Sequence, residues 1–287
     1  MPWLRVHHPP RRPAVTYLPM SLPLPVPKQL SPSALTLWDR CRLAFRYRTI
    51  DRLPEPPGTG NLVGLATHAA LDGLMQLPVQ DRTLPVAHEL AASTWRSYNG
   101  TLWALAVSRE ERARLRAELA AAVERYFAVE DPTTVDVVAT EHRMKAEVDG
   151  RTLTGVLDRI DRTPDGLAVV DYKVTRRPHP SYSWREGRQV ALYGLLWQAT
   201  AGESPAQGRL LHLVDGVVTR WKLHEGLYGA VRTELANAWR SLERACESGE
   251  FPAQKGPHCD WCGFQACCPA WGGTVLPFGG TPEEVRA

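Results

Sequence analysis

Two acidic residues and a lysine lie on two apolar segments joined by a tight turn, and this pattern constrains the fold of the chain most strongly. The first segment leads from Gly155 to Asp158, the turn is Pro164-Asp165-Gly166, and the second segment ends in Asp171-Tyr172-Lys173. β-Branched residues in the first segment and a short apolar run in the second favour strands. The turn residues favour a hairpin between them. We therefore expect Asp158 and Asp171 on neighbouring strands.

Alternation along the second strand brings polar groups of this hairpin together. Side chains two residues apart share a face, so Asp171 and Lys173 are expected to point the same way, with the Tyr172 carbonyl between them. Two converging carboxylates repel each other unless a cation neutralises them, and Mg²⁺ or Mn²⁺ prefers such oxygen ligands. Lys173 would then stabilise a pentavalent phosphate or orient the attacking water. An ordinary surface ion pair is the alternative that this spacing leaves open, although Val169-Val170 indicates a buried strand.

Two predicted helices carry further candidate residues. Residues 62–75 have apolar positions every three to four residues and contain His68, which is either a structural histidine or a metal ligand. A helix that runs to about Ala199 places Gln189 and Tyr193 four residues apart on one face. This amide and this phenol can hydrogen-bond a phosphate or hold the lysine, but polar residues with this spacing occur on most helices.

Four cysteines have the spacing of a metal site. Cys259, Cys262 and Cys268 form a C-x₂-C-x₅-C group, and Cys41 stands far upstream. Inside a cell disulfides are disfavoured, so such a group indicates metal binding. The spacing fits a structural zinc, with either Cys41 or His258 as the fourth ligand, as well as an iron–sulfur cluster.

Composition and targeting signals give weaker constraints. The apolar stretch 17–26 is interrupted by prolines and is too short to span a bilayer, and no signal peptide is visible. We therefore expect a cytoplasmic protein without a membrane partner. The net charge of +3 does not by itself indicate nucleic-acid binding.

Taken together, these motifs resemble the RecB-like branch of the PD-(D/E)XK nuclease superfamily, which includes AddB and the CRISPR-associated iron–sulfur exonucleases. The resemblance extends from about Leu30 to Trp271. The residues that carry it are His68, Gly155-x-x-Asp158-Arg159-Ile160-Asp161, Asp171-Tyr172-Lys173, Gln189-x₃-Tyr193 and the four spaced cysteines.

The resemblance implies a role for each matched residue. His68, Asp158, Asp171 and the Tyr172 carbonyl would bind Mg²⁺ or Mn²⁺. Lys173 would be the catalytic lysine, and Gln189 and Tyr193 would contact the substrate strand or position the lysine. Glu141, on a predicted first core strand at 135–148, is a weaker candidate, since a surface glutamate at a strand edge is an equally good interpretation.

The resemblance also implies a [4Fe-4S] cluster held by Cys41, Cys259, Cys262 and Cys268, with zinc as the alternative. Proline often follows the first cysteine in the family, whereas Arg42 follows Cys41 here. Cys267 adjoins Cys268, and Pro269 after Cys268 favours the latter as the ligand.

The expected fold is a mixed α/β PD-(D/E)XK core, in which a mixed central sheet is flanked by helices. Residues 30–272 would form this nuclease domain, with a helical insertion at about 80–130 and a cluster-binding segment at 259–268 that joins Cys41. We expect residues 1–29 to be a disordered, proline-rich extension and residues 273–287 a flexible tail. Met20 suggests an alternative start, with the first nineteen residues outside the functional protein.

The expected function is that of a metal-dependent DNA exonuclease in repair or recombination, acting on single-stranded DNA or DNA ends. DNA would be its partner, together with a helicase or recombination protein. The alternatives are a non-catalytic DNA-binding or helicase-partner subunit and a CRISPR-adaptation nuclease.

Overall fold

The computed structural model describes residues 22–55, 59–176 and 183–276, which form a mixed sheet with helices on both faces. The strands are β1 (Gln29–Leu30), β2 (Asp136–Val148), β3 (Arg151–Thr163), β4 (Gly166–Lys173), β5 (Gln207–His212) and β6 (Val217–Lys222). The helices are α1 (Pro32–Arg40), α2 (Arg42–Phe45), α3 (Thr59–Met75), α4 (Leu84–Ser97), α5 (Asn99–Ala104), α6 (Arg109–Val129), α7 (Ser183–Ala201) and α8 (Glu225–Ser248). A π-helical turn at Arg46–Ile50 follows α2, and short 3₁₀ turns follow α8.

The sheet has the order β1-β3-β4-β5-β6, and β2 pairs with β3. The β2–β3, β3–β4 and β5–β6 pairs are antiparallel, whereas β1–β3 and β4–β5 are parallel. The predicted hairpin is confirmed, because Thr163 pairs with Gly166 and the strands turn through Pro164-Asp165. A second hairpin joins β5 to β6 with a longer connection, since His212 pairs with Val217.

Apolar residues of β4 and β5 alternate between two cores. Val169 and Leu210 face a core that α1, α7 and α8 cover, whereas Val170 and Leu211 face a core built on α3, α4 and α6. Both faces of the central strands are therefore buried, which explains the continuous apolar run in β4. The predicted mixed sheet flanked by helices is confirmed.

The helical insertion packs on the same face of the sheet as α3, the helix that contains His68. Helices α4 and α6 contact α3 and each other, with Trp95, Leu119 and Tyr126 buried between them. The N-terminus of α6 is fixed by the hydroxyl of Ser108, which accepts a hydrogen bond from the N–H of Glu111. This packing holds α3 against the sheet.

The described ends of the chain attach to the core. Leu24 is buried and donates its N–H to the carbonyl of Cys246, and Leu276 is buried with its N–H donating to the hydroxyl of Tyr47. Residues 1–21 and 277–287 of the predicted disordered extension and flexible tail lie outside the described residues. In the described part of the chain, no helix is both long enough and apolar enough to cross a membrane.

Candidate metal centre

Three side chains from three elements converge beside the end of β4. One ligand atom each of His68 (α3), Glu141 (β2) and Asp158 (β3) lies within 4.8 Å of the other two. The pairs Thr140–Arg159 and His142–Leu157 set the β2–β3 register, so Glu141 lies opposite Asp158. One imidazole and two carboxylates form a donor set that suits a divalent cation.

His68 joins the helix to both strands of the hairpin. Its Nδ1 lies 3.3 Å from Oδ2 of Asp158, and its Nε2 lies 3.0 Å from the carbonyl oxygen of Tyr172. Burial lowers the pKa of His68, but the hydrogen bond and charge of Asp158 raise it, as do the charges of Asp171 and Glu141, and the net pKa lies above its ordinary value. The imidazole therefore sits in a strongly negative environment.

Glu141 belongs to this group, although the sequence marked it as the weaker candidate. Its backbone has φ 42°, in the left-handed region that is unfavourable for a residue with a side chain. Burial and the charge of Asp158 raise the pKa of the Glu141 carboxyl. A strained backbone that keeps two acids together is characteristic of a functional site.

Asp171 lies just outside the group and holds the lysine. Its side chain is 5% exposed, and its Oδ2 lies 2.6 Å from Nζ of Lys173. The amide of Gln189 donates to Oδ1 of Asp171 (2.9 Å) and accepts from Nζ of Lys173 (3.0 Å). Burial raises the pKa of Asp171, the ammonium of Lys173 opposes this, and the charge of Asp158 adds to the increase. A further cation beside these acids would favour their ionised forms.

Tyr193 lies behind Gln189 and packs against β3. It is buried and hydrogen-bonded to Gln189, and burial raises its pKa, helped by the charges of Asp171 and Asp158. A Cβ on Gly155 would lie 3.0 Å from Cε1 of Tyr193 and 3.2 Å from Cδ1 of Leu196. Gly155 therefore allows α7 to approach β3 closely, three residues before Asp158.

A groove of about 690 Å³ opens onto the centre. Its lining includes the three ligand candidates together with Leu65 of α3 and Tyr98, which follows α4. Of the three aromatic residues of the insertion segment 95–103, Trp95 is buried, Tyr98 reaches this groove and Trp103 is 71% exposed. Apolar and aromatic side chains beside polar ligand candidates suit a nucleotide chain.

A buried ion cluster next to the centre has no counterpart in the sequence interpretation. The guanidinium of Arg159 has no solvent exposure and contacts Asp161 (2.8 Å), Glu130 (2.8 Å) and the hydroxyl of Tyr172 (2.8 Å). These contacts fix Tyr172, whose carbonyl faces His68. The sequence contained one sign of this cluster: Arg159 stands inside an apolar strand, and a buried charge requires buried partners.

The cysteines come from both ends of the described chain. Cys41 lies in the core that α1, α7 and α8 cover, Cys262 and Cys268 pack half-buried against that core, and Cys259 is also buried. Burial raises the pKa of the Cys262 thiol, and the charges of Glu55, Cys41 and Cys259 add to this, so Cys41 is a neighbour of Cys262. Across the described residues, the group at His68 is the only set of three or more His, Cys, Asp or Glu ligand atoms that all lie within 4.8 Å.

The two other residues considered as cluster ligands have partners of their own. His258 places Nε2 3.0 Å from the carbonyl of Gln254. The thiol of Cys267 is buried and donates to the carbonyl of Phe264 over 3.4 Å. Cys246, a residue of α8 outside this set, is buried in the core.

Comparisons with known proteins agree with this architecture. A family model described as the PD-(D/E)XK nuclease superfamily matches residues 29–269. A search of curated proteins gives no significant match. A crystal structure described as "Putative exonuclease" from Eubacterium rectale is similar with a TM-score of 0.55 and 13% identity, covering 82% of this chain and 87% of that one. A structure of SSO0001 has a TM-score of 0.38 and 14% identity, covering 85% of this chain and 86% of that one.

Proposed function

Because the chain belongs to the PD-(D/E)XK nuclease superfamily, we propose that it is a Mg²⁺- or Mn²⁺-dependent DNA exonuclease of the RecB-like branch. The observation that carries this proposal is the placement of His68, Glu141 and Asp158 beside the Asp171–Lys173–Gln189 set. An ordinary surface ion pair would not require a buried acid, a bridging amide and a second acid opposite the first.

Each residue has a proposed part in phosphodiester hydrolysis. A divalent cation bound by His68, Glu141 and Asp158, with Asp171 and the Tyr172 carbonyl beside them, would supply an activated water and neutralise phosphate charge. Lys173 stabilises the charge that develops on the phosphoryl oxygens. Gln189 fixes Lys173 against Asp171, and Tyr193 supports Gln189 from behind.

The proposed substrate is single-stranded DNA or the end of a DNA duplex, and the proposed setting is repair or recombination in the cytoplasm. The open groove, whose lining includes Tyr98 of the helical insertion, supports a strand with a base stacked on that aromatic ring. A helicase or recombination protein would deliver such strands. A non-catalytic DNA-binding subunit and a CRISPR-adaptation nuclease are the competing interpretations.

Degradation of linear and circular substrates tests this function. Wild-type protein is incubated with end-labelled linear single-stranded DNA, with circular single-stranded DNA and with RNA of equal length, in Mg²⁺, Mn²⁺ or EDTA. We expect metal-dependent shortening of the linear DNA alone. Cleavage of the circle would contradict exonuclease action, and an absence of cleavage of every substrate would favour the non-catalytic subunit.

We further propose that Cys41, Cys259, Cys262 and Cys268 hold a [4Fe-4S] cluster. The location of Cys41 beside Cys262 supports a site that joins the two ends of the domain. A structural zinc bound by the same four thiolates is the competing interpretation, and the metal content of the protein decides between the two.

Metal analysis of anaerobically purified protein tests the cluster. We expect a brown protein with about four irons per chain. The variant Cys41→Ser should lose its iron, whereas Cys246→Ser, which changes a buried cysteine outside the set, should keep it. Colourless protein with one zinc per chain would overturn the assignment.

A further inference from the structure

A basic groove of about 910 Å³ lies away from the metal centre, between the segment 25–29, helix α1, residues 48–52 and the β2–β3 pair. Its described lining contains four cations and no aspartate or glutamate; the cations are Lys28, Arg48, Arg52 and Lys145. Hydroxyl groups of Ser31, Ser33, Thr49 and Thr154 add hydrogen-bonding groups. This chemistry suits a chain of phosphates.

Three of the cations are available to a ligand. Lys28, Arg52 and Lys145 are exposed, and none of them forms an ion pair with another described residue. Arg48 pairs with Glu55 at the rim. The groove thus has an excess of positive charge that the described parts of the protein do not neutralise.

The groove and the metal centre lie on the same two strands. Lys145 pairs with Thr154, four residues along β2 and β3 from Glu141 and Asp158. Side chains two and four residues apart share a face of a strand, and four residues span about 13 Å. Between them Arg143 pairs with Val156, and Val156 lines the groove of the metal centre.

We propose that this basic groove binds the phosphates of the single strand whose scissile bond lies at the metal centre, with Arg143 between the two sites. This inference rests on the proposed nuclease function and adds the path of the substrate. The N-terminal residues 1–21 are a poor alternative occupant, because they contain Arg5, Arg11 and Arg12 and no acid. Like charges would repel that segment from the groove.

Salt-dependent binding tests the groove without turnover. Fluorescence anisotropy with a labelled 30-nucleotide oligo-dT, measured in EDTA, compares wild type with the triple variant Lys28→Ala/Arg52→Ala/Lys145→Ala and with Lys222→Ala. Lys222 is an exposed lysine on β6, at the far edge of the sheet, and is the matched control. Since one phosphate contact contributes about 0.7 to the slope of log K against log salt, we expect the slope of the triple variant to fall by about 2. A slope equal to that of Lys222→Ala would overturn the proposal.

Kinetics separate this proposal from the proposed function. We expect the triple variant to raise KM for the 30-nucleotide strand about tenfold and leave kcat unchanged, with no change for a trinucleotide too short to reach the groove. If wild type cleaves no strand while the slope still falls, the groove is supported and the nuclease function is wrong. If wild type cleaves and the KM values of both variants equal that of wild type, the groove proposal is wrong.

A parallel titration with oligo-rU tests whether the sugar takes part in binding. If the triple variant loses the same slope on oligo-rU as on oligo-dT, the contacts are to phosphates rather than to the sugar.

Discussion

The backbone N–H of Tyr172 donates a hydrogen bond of 2.8 Å to Oδ2 of Asp158. The same carboxylate oxygen lies 3.3 Å from His68, so one atom joins β3, β4 and α3. The carbonyl oxygen of Tyr172 faces Nε2 of the same imidazole. Folding of the hairpin against α3 therefore brings His68, Asp158 and the Tyr172 carbonyl together, and β2 adds Glu141.

Metal binding is expected to stabilise the folded protein through Glu141. Mn²⁺ binds only when the three donors are assembled, so a concentration 100 times Kd raises the free energy of unfolding by about 2.7 kcal/mol. Glu141→Gln keeps the shape of the side chain but removes its charge, and most of this stabilisation should be lost. Thermal unfolding with and without Mn²⁺ measures the effect. Glu147→Gln, an exposed glutamate on the same strand, should respond to Mn²⁺ like wild type.

Gln189→Ala is expected to lower kcat about tenfold with little change in KM. The variant removes the amide that bridges Asp171 and Lys173, and the ammonium then loses its fixed position. Steady-state hydrolysis of a DNA strand checks this. Gln198→Ala, a half-buried glutamine on the same helix, is the control. Equal kcat values for the two variants would refute a positioning role for Gln189.

Gly155→Ala is expected to destabilise the protein by about 1–3 kcal/mol, because the new methyl group would overpack against Tyr193 and Leu196. Chemical denaturation measures the change. Gly229→Ala in α8, where a Cβ meets nothing within 4 Å, should instead stabilise by up to about 1 kcal/mol through helix propensity. A neutral Gly155→Ala would show that α7 does not depend on this close approach.

Arg159→Ala is expected to lower the free energy of unfolding by about 3–5 kcal/mol, since Asp161 and Glu130 would lose a buried cation. Arg162→Ala changes an exposed arginine of the same strand and should alter stability by at most about 0.5 kcal/mol. Urea denaturation of both variants checks the difference. If Arg159→Ala and Arg162→Ala had similar free energies of unfolding, the Arg159 ion cluster would not hold Tyr172 in place.

Local pattern was enough to predict the hairpin and the order of elements around it. Alternation placed Asp171 and Lys173 on one face, and their side chains lie 2.6 Å apart. Helical periodicity likewise predicted a helix at 62–75, and α3 spans Thr59–Met75. These features depend on residues close in sequence, where strand and helix periods act directly.

Features that depend on distant segments could not be predicted in the same way. The inclusion of Glu141 requires both the β2–β3 register and a left-handed backbone conformation. Arg159 meets Glu130 from the end of α6, and the basic groove combines Lys28, Arg52 and Lys145 from three segments. Only the tertiary fold brings such residues together.

The central claim is that Asp158 belongs to a metal-dependent phosphodiester-hydrolysing centre, and the rate of Mn²⁺-dependent nucleotide release from an end-labelled DNA strand tests it most directly. Asp136→Asn, an exposed aspartate of the neighbouring strand β2, is the matched control. We predict that wild type and Asp136→Asn release nucleotides at the same rate, while folded Asp158→Asn is slower by at least about 100-fold. A rate for Asp158→Asn close to that of wild type would contradict the account.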